Sequence, residues 1–127
     1  MINIDETLKN LNARGFDTSF FENGKAAADY LASSLKNETI GFGGSKTLES
    51  LGLYERLCEN NSVFWHWNPG SDDAREKAIG AEVYITSANA VAQTGEIINI
   101  DGSGNRVSST LYGKKKVYII VGINKLA

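Results

Sequence analysis

The sequence predicts an α/β domain built on a mainly parallel sheet, and three observations carry that reading. Short runs of β-branched and aromatic residues, such as Thr39-Ile40-Gly41-Phe42 and Val83-Tyr84-Ile85-Thr86, alternate with stretches of helical periodicity. Strands separated by helix-length segments are parallel neighbours joined by crossovers, not hairpin partners. Two glycine-rich segments each follow a strand pattern and precede a helix pattern, where open α/β sheets carry their ligand loops.

The elements follow in order. Ile4, Leu8 and Leu11 recur at i, i+4 and i+7, with Asn3 and Glu6 spaced as a capping box and Gly15 as the stop. Residues 17–21 read as a short strand. Asn23-Gly24 opens a helix through Lys36, with Ala27, Leu31 and Leu35 on one face. Residues 39–42 are a buried strand that runs into Gly43-Gly44. Leu48, Leu51, Tyr54 and Leu57 describe a helix broken near Gly52. Residues 63–67 form an aromatic strand closed by Asn68-Pro69-Gly70, a strong turn signal. Ser71, Asp72 and Asp73 start a helix, since acids there complement its dipole, and Gly80 ends it. Residues 82–86 and 96–100 read as strands, 105–112 as a short helix with Val107 and Leu111 inward, and 116–121 as a closing buried strand.

A chain of 127 residues with 42% hydrophobic and 22% charged residues fits one soluble globular domain. The expected organisation is a single domain over 1–127, its N-terminal helices (1–36) packing on an α/β core (37–127). Fifteen acids and eight bases lie at or before Asp101, while five bases and no acid follow it. That layout gives the C-terminal segment either a solvated helix end or an anion-facing role. A net charge of −2 without an extended basic run argues against general nucleic-acid binding. The N-terminus lacks the basic and apolar regions of a signal peptide, and the longest apolar run, 117–123, is too short to span a membrane. The expected location is the cytoplasm. A single cysteine, Cys58, excludes an intrachain disulfide and is read as structural.

The chemistry centres on the two glycine-rich segments, Gly41-Phe42-Gly43-Gly44-Ser45-Lys46-Thr47 and Gly102-Ser103-Gly104-Asn105-Arg106. Glycine lets the backbone turn tightly and approach a ligand, and unpaired N–H groups at a helix start attract anions. Neither segment matches the P-loop or the dinucleotide fingerprint, so each is either a structural turn or a ligand cradle. Lys46 and Arg106 supply charge beside them. Between them, the polar stretch from Thr86 to Asp101 is either a turn satisfied by its own side chains or a pocket wall carrying Asn89, Glu96, Asn99 and Asp101. His66, on a strand face with Phe64, has no local partner and reads as a packed or surface histidine.

The blocks Ile40-Gly41-Phe42-Gly43-Gly44-Ser45-Lys46-Thr47-Leu48 and Val83-Tyr84-Ile85-Thr86-Ser87-Ala88-Asn89-Ala90 resemble the LUD domain family, named for bacterial lactate utilisation proteins B and C. So do the stretch from Thr94 to Val107, with its Asp101-Gly102-Ser103-Gly104-Asn105-Arg106 core, and the closing Lys115 to Lys125. The resemblance covers nearly the whole chain. It implies a Rossmann-like three-layer fold of the NagB/RpiA/CoA-transferase type, with the mainly parallel sheet flanked by helices. It also implies a part in oxidising L-lactate to pyruvate within a multi-subunit, iron–sulfur-containing system. Family members commonly continue into a cysteine-bearing C-terminal segment, which the resemblance implies this sequence lacks. With one cysteine the chain cannot hold a four-cysteine cluster, so no cofactor is expected in it; what the resemblance implies is a cluster carried by a partner subunit. More distantly, residues 87–103 are similar to methylthioribose-phosphate isomerase-like proteins. There the position of Asn89 is a catalytic Asp, and an amide cannot act as a general base.

The leading expectation is therefore a subunit or module of a lactate-oxidising system that binds a small carboxylate or phosphorylated anion. Its ligand residues would be Gly43, Gly44, Ser45, Lys46, Asn89, Asn99, Gly102, Ser103, Gly104, Asn105 and Arg106. The alternatives are a non-catalytic scaffold, or an isomerase or acyl-transferase using Glu96 or Asp101 as base or nucleophile. The expected partners are the anion, an iron–sulfur subunit and a second copy in a homo-oligomer, with neither nucleic acid nor membrane.

Overall fold

A computed structural model describes residues 3–43, 46–65, 81–98 and 116–126. Asn3 caps α1 (Ile4–Ala13), its Oδ1 accepting from the Glu6 N–H at 3.0 Å. The helix stops at Gly15, where the Phe16 N–H reaches back to the Leu11 carbonyl at 3.1 Å. Asn23 caps α2 (Gly24–Ser34) in the same way, accepting from the Ala26 N–H. This helix ends two residues before Lys36 because Leu35 turns extended to enter the core. Ala28, rather than Ala27, joins Leu31 and Leu35 on its buried face.

Four parallel strands make the central sheet: β1 (Thr39–Phe42), β2 (Ser62–Trp65), β3 (Val83–Thr86) and β6 (Lys116–Ile119), in the order β2-β1-β3-β6. Their register pairs Phe42 with Trp65 on one side and Ile85 on the other. The crossover from β1 to β2 carries α3 (Lys46–Ser50) and α4 (Leu53–Cys58), separated at Gly52 as the sequence predicts. This is the expected α/β architecture, a parallel sheet with flanking helices.

Alternation along each strand decides what is core. Ile40, Phe42, Trp65, Val83 and Ile85 share a face and meet Ala28, Leu31, Leu35, Leu48, Leu53 and Leu57 in one buried cluster. Phe42 lies at its centre, 5.4 Å from the Trp65 ring and edge-on to Tyr54 at 6.2 Å. β1 and β3 are buried on both faces from Ile40 to Phe42 and throughout β3, as central strands of an α/β sheet are. Cys58 departs from expectation, for it is exposed at the end of α4.

Two other segments differ from the sequence reading. Residues 17–21 form no strand: Phe21 turns onto Tyr30 of α2 with ring centroids 5.4 Å apart, so the apolar pattern serves a local contact. The stretch after β3 forms an antiparallel hairpin of β4 (Ala90–Val91) and β5 (Ile97–Ile98), where the sequence suggests a turn and one later strand. Val91 also bridges Leu126, which caps the short helical turn (Ile123–Lys125) that follows β6.

One polar side chain ties the layers together. Asn61 donates to the Leu35 and Leu57 carbonyls, at 3.0 Å each, and accepts from the Glu38 N–H at 2.9 Å. It thereby serves the ends of two helices and the entry to β1. Asn61→Ala leaves all three groups without that partner and should cost about 1–3 kcal/mol in denaturant unfolding. An unchanged midpoint would refute this role.

Candidate functional site

The order β2-β1-β3-β6 means that the chain leaves β1 toward one side of the sheet and later returns to build on the other. The reversal falls between β1 and β3, and in open α/β sheets the crevice at the carboxyl ends of such a pair is where ligands bind. Two polar segments depart from this point. Gly43 follows β1 and leads toward Lys46, the exposed first residue of α3. Ser87, Ala88 and Asn89 follow β3 and lead into the hairpin, with Ser87 and Ala88 buried and Asn89 exposed.

Gly43 holds the first segment against β3. Its N–H donates to the Ile85 carbonyl at 2.9 Å, extending the β1–β3 ladder by one bond. A Cβ at this position would lie 2.5 Å from Thr86 Oγ1 and 2.9 Å from the Tyr84 hydroxyl, both on fully buried side chains. Only a residue without a side chain permits that approach. Close packing thus accounts for this glycine without any ligand, while it fixes the start of the loop.

The second segment is held by the hairpin. Asn89 donates its N–H to the Ile98 carbonyl at 2.9 Å, and Ala92 donates to the Glu96 carbonyl at 2.8 Å. Glu96, a candidate base, has its carboxylate engaged elsewhere. It accepts from the Thr94 hydroxyl and pairs at 2.7 Å with Arg14, the C-cap of α1, the charged partners each about half exposed. The Thr94 hydrogen bond, with the Arg14 guanidinium adding to it, holds the Glu96 carboxyl below the ordinary glutamate range.

Gly43, Lys46 and Asn89 thus stand at the carboxyl ends of β1 and β3, while Glu96 is turned to α1. Gly44, Ser45, Asn99, Asp101, Gly102, Ser103, Gly104, Asn105 and Arg106 lie outside the described residues, as does His66. Sequence reasoning did not find Thr86 and Tyr84 beneath Gly43, because a Thr and a Tyr in a strand read simply as strand formers. It also missed Asn10 and Arg14, whose partners lie more than 80 positions away and leave no local trace.

An open groove of about 530 Å³ lies between α2 and the α3–α4 pair, lined by residues including Lys25, Asp29, Leu51 and Arg56. Among the described residues it shares no lining residue with the β1–β3 crevice, and its Arg56 is paired with Asp29 at 2.5 Å. Among the described residues, no three His, Cys, Asp or Glu side chains gather as a metal site, and no helix is long and apolar enough to cross a membrane.

A four-stranded parallel sheet with a reversal between β1 and β3 and flanking helices defines the class of open α/β domains. More particularly, the LUD domain family model matches residues 4–127, and the chain belongs to that family. No curated protein sequence matches it.

Two outcomes are expected. Gly43→Ala must push the loop away from Thr86 and Tyr84, at about 1–3 kcal/mol in chemical denaturation; wild-type stability would disprove the close packing. For Glu96, folding lowers the carboxyl pKa, so its contribution is complete above the ordinary glutamate pKa and vanishes as pH falls through the lowered folded value. Side-chain NMR titration should show a depressed Glu96 pKa that rises in Thr94→Ala, and an undepressed value would contradict the assignment.

Proposed function

We propose that this LUD domain serves an L-lactate-to-pyruvate oxidation system in the cytoplasm, as a subunit or module that binds a small carboxylate or phosphorylated anion. The carrying observation is the sheet reversal between β1 and β3, with Gly43–Lys46 and Ser87–Asn89 leaving from adjacent strand ends. On this reading Lys46 and Arg106 neutralise the anion, and Ser45, Asn89, Asn99 and Ser103 orient it through neutral hydrogen bonds. An Arg fork suits a carboxylate through two parallel bonds. Family membership supplies the metabolic setting of the proposal.

Lactate gives up two electrons and two protons in becoming pyruvate, so an acceptor is required. The 127 residues hold one cysteine, which does not fit a four-thiolate cluster. On this reading the iron–sulfur acceptor sits in a partner subunit, and this chain binds the substrate anion or its product. A catalytic carboxylate role for Glu96 is the weaker alternative, since Arg14 and Thr94 already occupy its oxygens.

The test is calorimetric titration of L-lactate, pyruvate, nucleotides and sugar phosphates into wild type, Lys46→Ala and Arg106→Ala. Saturable binding of at least one anion is expected, weakened about tenfold or more in each variant. Absence of binding to wild type, or equal binding by the variants, would overturn the site.

A further inference from the structure

Helix α1 is attached to the rest of the molecule in an unusual way. Its apolar residues Ile4, Leu8 and Leu11 are only half-buried, and Thr7 is its one buried residue. Its long-range hydrogen bonds among the described residues run to a single place, the turn of the β4–β5 hairpin. Asn10 Nδ2 donates to the Gln93 carbonyl at 2.8 Å, and Arg14 Nε donates to the Thr94 carbonyl at 3.2 Å. Arg14 Nη2 meets Glu96, while Gln93 Nε2 donates to Glu6 at 2.9 Å.

The turn is shaped to receive the helix. Gly95 is buried with φ at +102°, and a Cβ there would lie 2.7 Å from Arg14 Nε and 3.1 Å from the Asn10 carbonyl oxygen. The backbone conformation demands glycine, and the close approach of Arg14 and the Asn10 carbonyl adds to that preference. Behind the turn, the hairpin bond from Asn89 N–H to the Ile98 carbonyl fixes the segment leaving β3.

We propose that α1 is a clasp whose docking on the Thr94–Gly95 turn sets the position of Asn89 at the β1–β3 crevice, with Arg14 and Asn10 as positioning residues. The functional half of this inference rests on the anion-site reading above. The clasp acts through the hairpin, not by touching ligand. By linkage, an anion that engages Asn89 when the hairpin is ordered must also favour docked α1.

Hydrogen exchange on the full chain, resolved by NMR, tests the mechanical half without any ligand. Arg14→Ala should speed exchange at the Ala92 and Asn89 amides about tenfold, since it removes one backbone-directed bond and one ion pair, while the Ile40–Phe42 and Val83–Ile85 amides keep their protection. Gly95→Ala should do the same more strongly. Faster exchange confined to α1, with Asn89 unchanged, would overturn the clasp, as would a uniform rise across the sheet. Titration of L-lactate into the same proteins tests the functional half. A several-fold weaker affinity in Arg14→Ala, with the sheet intact, supports positioning. Unchanged affinity beside a loosened hairpin overturns it while sparing the anion site. Absence of lactate binding to wild type counts against the anion reading and leaves the exchange result to decide the clasp.

Discussion

The parallel pairing of β1 with β3 is the constraint on which the rest depends. It joins the two strands that are buried on both faces and aligns Phe42 with Ile85 in the core. The extra bond from Gly43 to the Ile85 carbonyl carries the pairing past the end of β1. A slip by one residue would exchange Ile40 and Phe42 for Thr39 and Gly41 on the core face, emptying the aromatic cluster with Tyr54 and Trp65. It would also move Gly43 off the Thr86 and Tyr84 hydroxyls. Core packing and the crevice are thus two readouts of one register.

Around this centre the molecule uses two kinds of attachment. The α2, α3 and α4 layer is fixed by aliphatic and aromatic burial against the sheet. Helix α1 and the hairpin turn are joined in addition by side-chain hydrogen bonds, two of them to backbone carbonyls and two to carboxylates. Such bonds specify orientation better than they supply stability, because each replaces bonds to water. The segment entering the proposed anion site therefore has directional contacts at the hairpin turn in addition to the burial of Ser87, Ala88 and Val91.

Much of the fold could be read from the sequence. The caps at Asn3 and Asn23, the break at Gly52 and the four parallel strands all follow from local chemistry and periodicity. The hairpin escaped because Ala90–Val91 is two residues long, too short for alternation to register, and its five-residue turn resembles any polar loop. Residues 17–21 misled because Phe20 and Phe21 mimic strand composition while Phe21 packs on its neighbouring helix. At the crevice, Gly43 stood out in the sequence, yet its packing reason, Thr86 and Tyr84, lies some forty positions away. The partner of the candidate base Glu96 is equally remote, since Arg14 caps the first helix.

Asn61 has a consequence of another kind. The last turn of α2 carries no basic residue, and the Leu35 and Leu57 carbonyls at the ends of α2 and α4 are served by its neutral amide. Dissolved ions do little to a bond between two uncharged groups. The Arg14–Glu96 pair is exposed and charged, so counterions screen it over a Debye length of about 10 Å at 0.1 M ionic strength. Raising the salt concentration therefore weakens the Arg14–Glu96 pair, and with it the exposed Arg56–Asp29 pair between α4 and α2, while leaving the Asn61 bonds as they were. Ionic strength thus separates the charged attachments of this domain from the neutral ones.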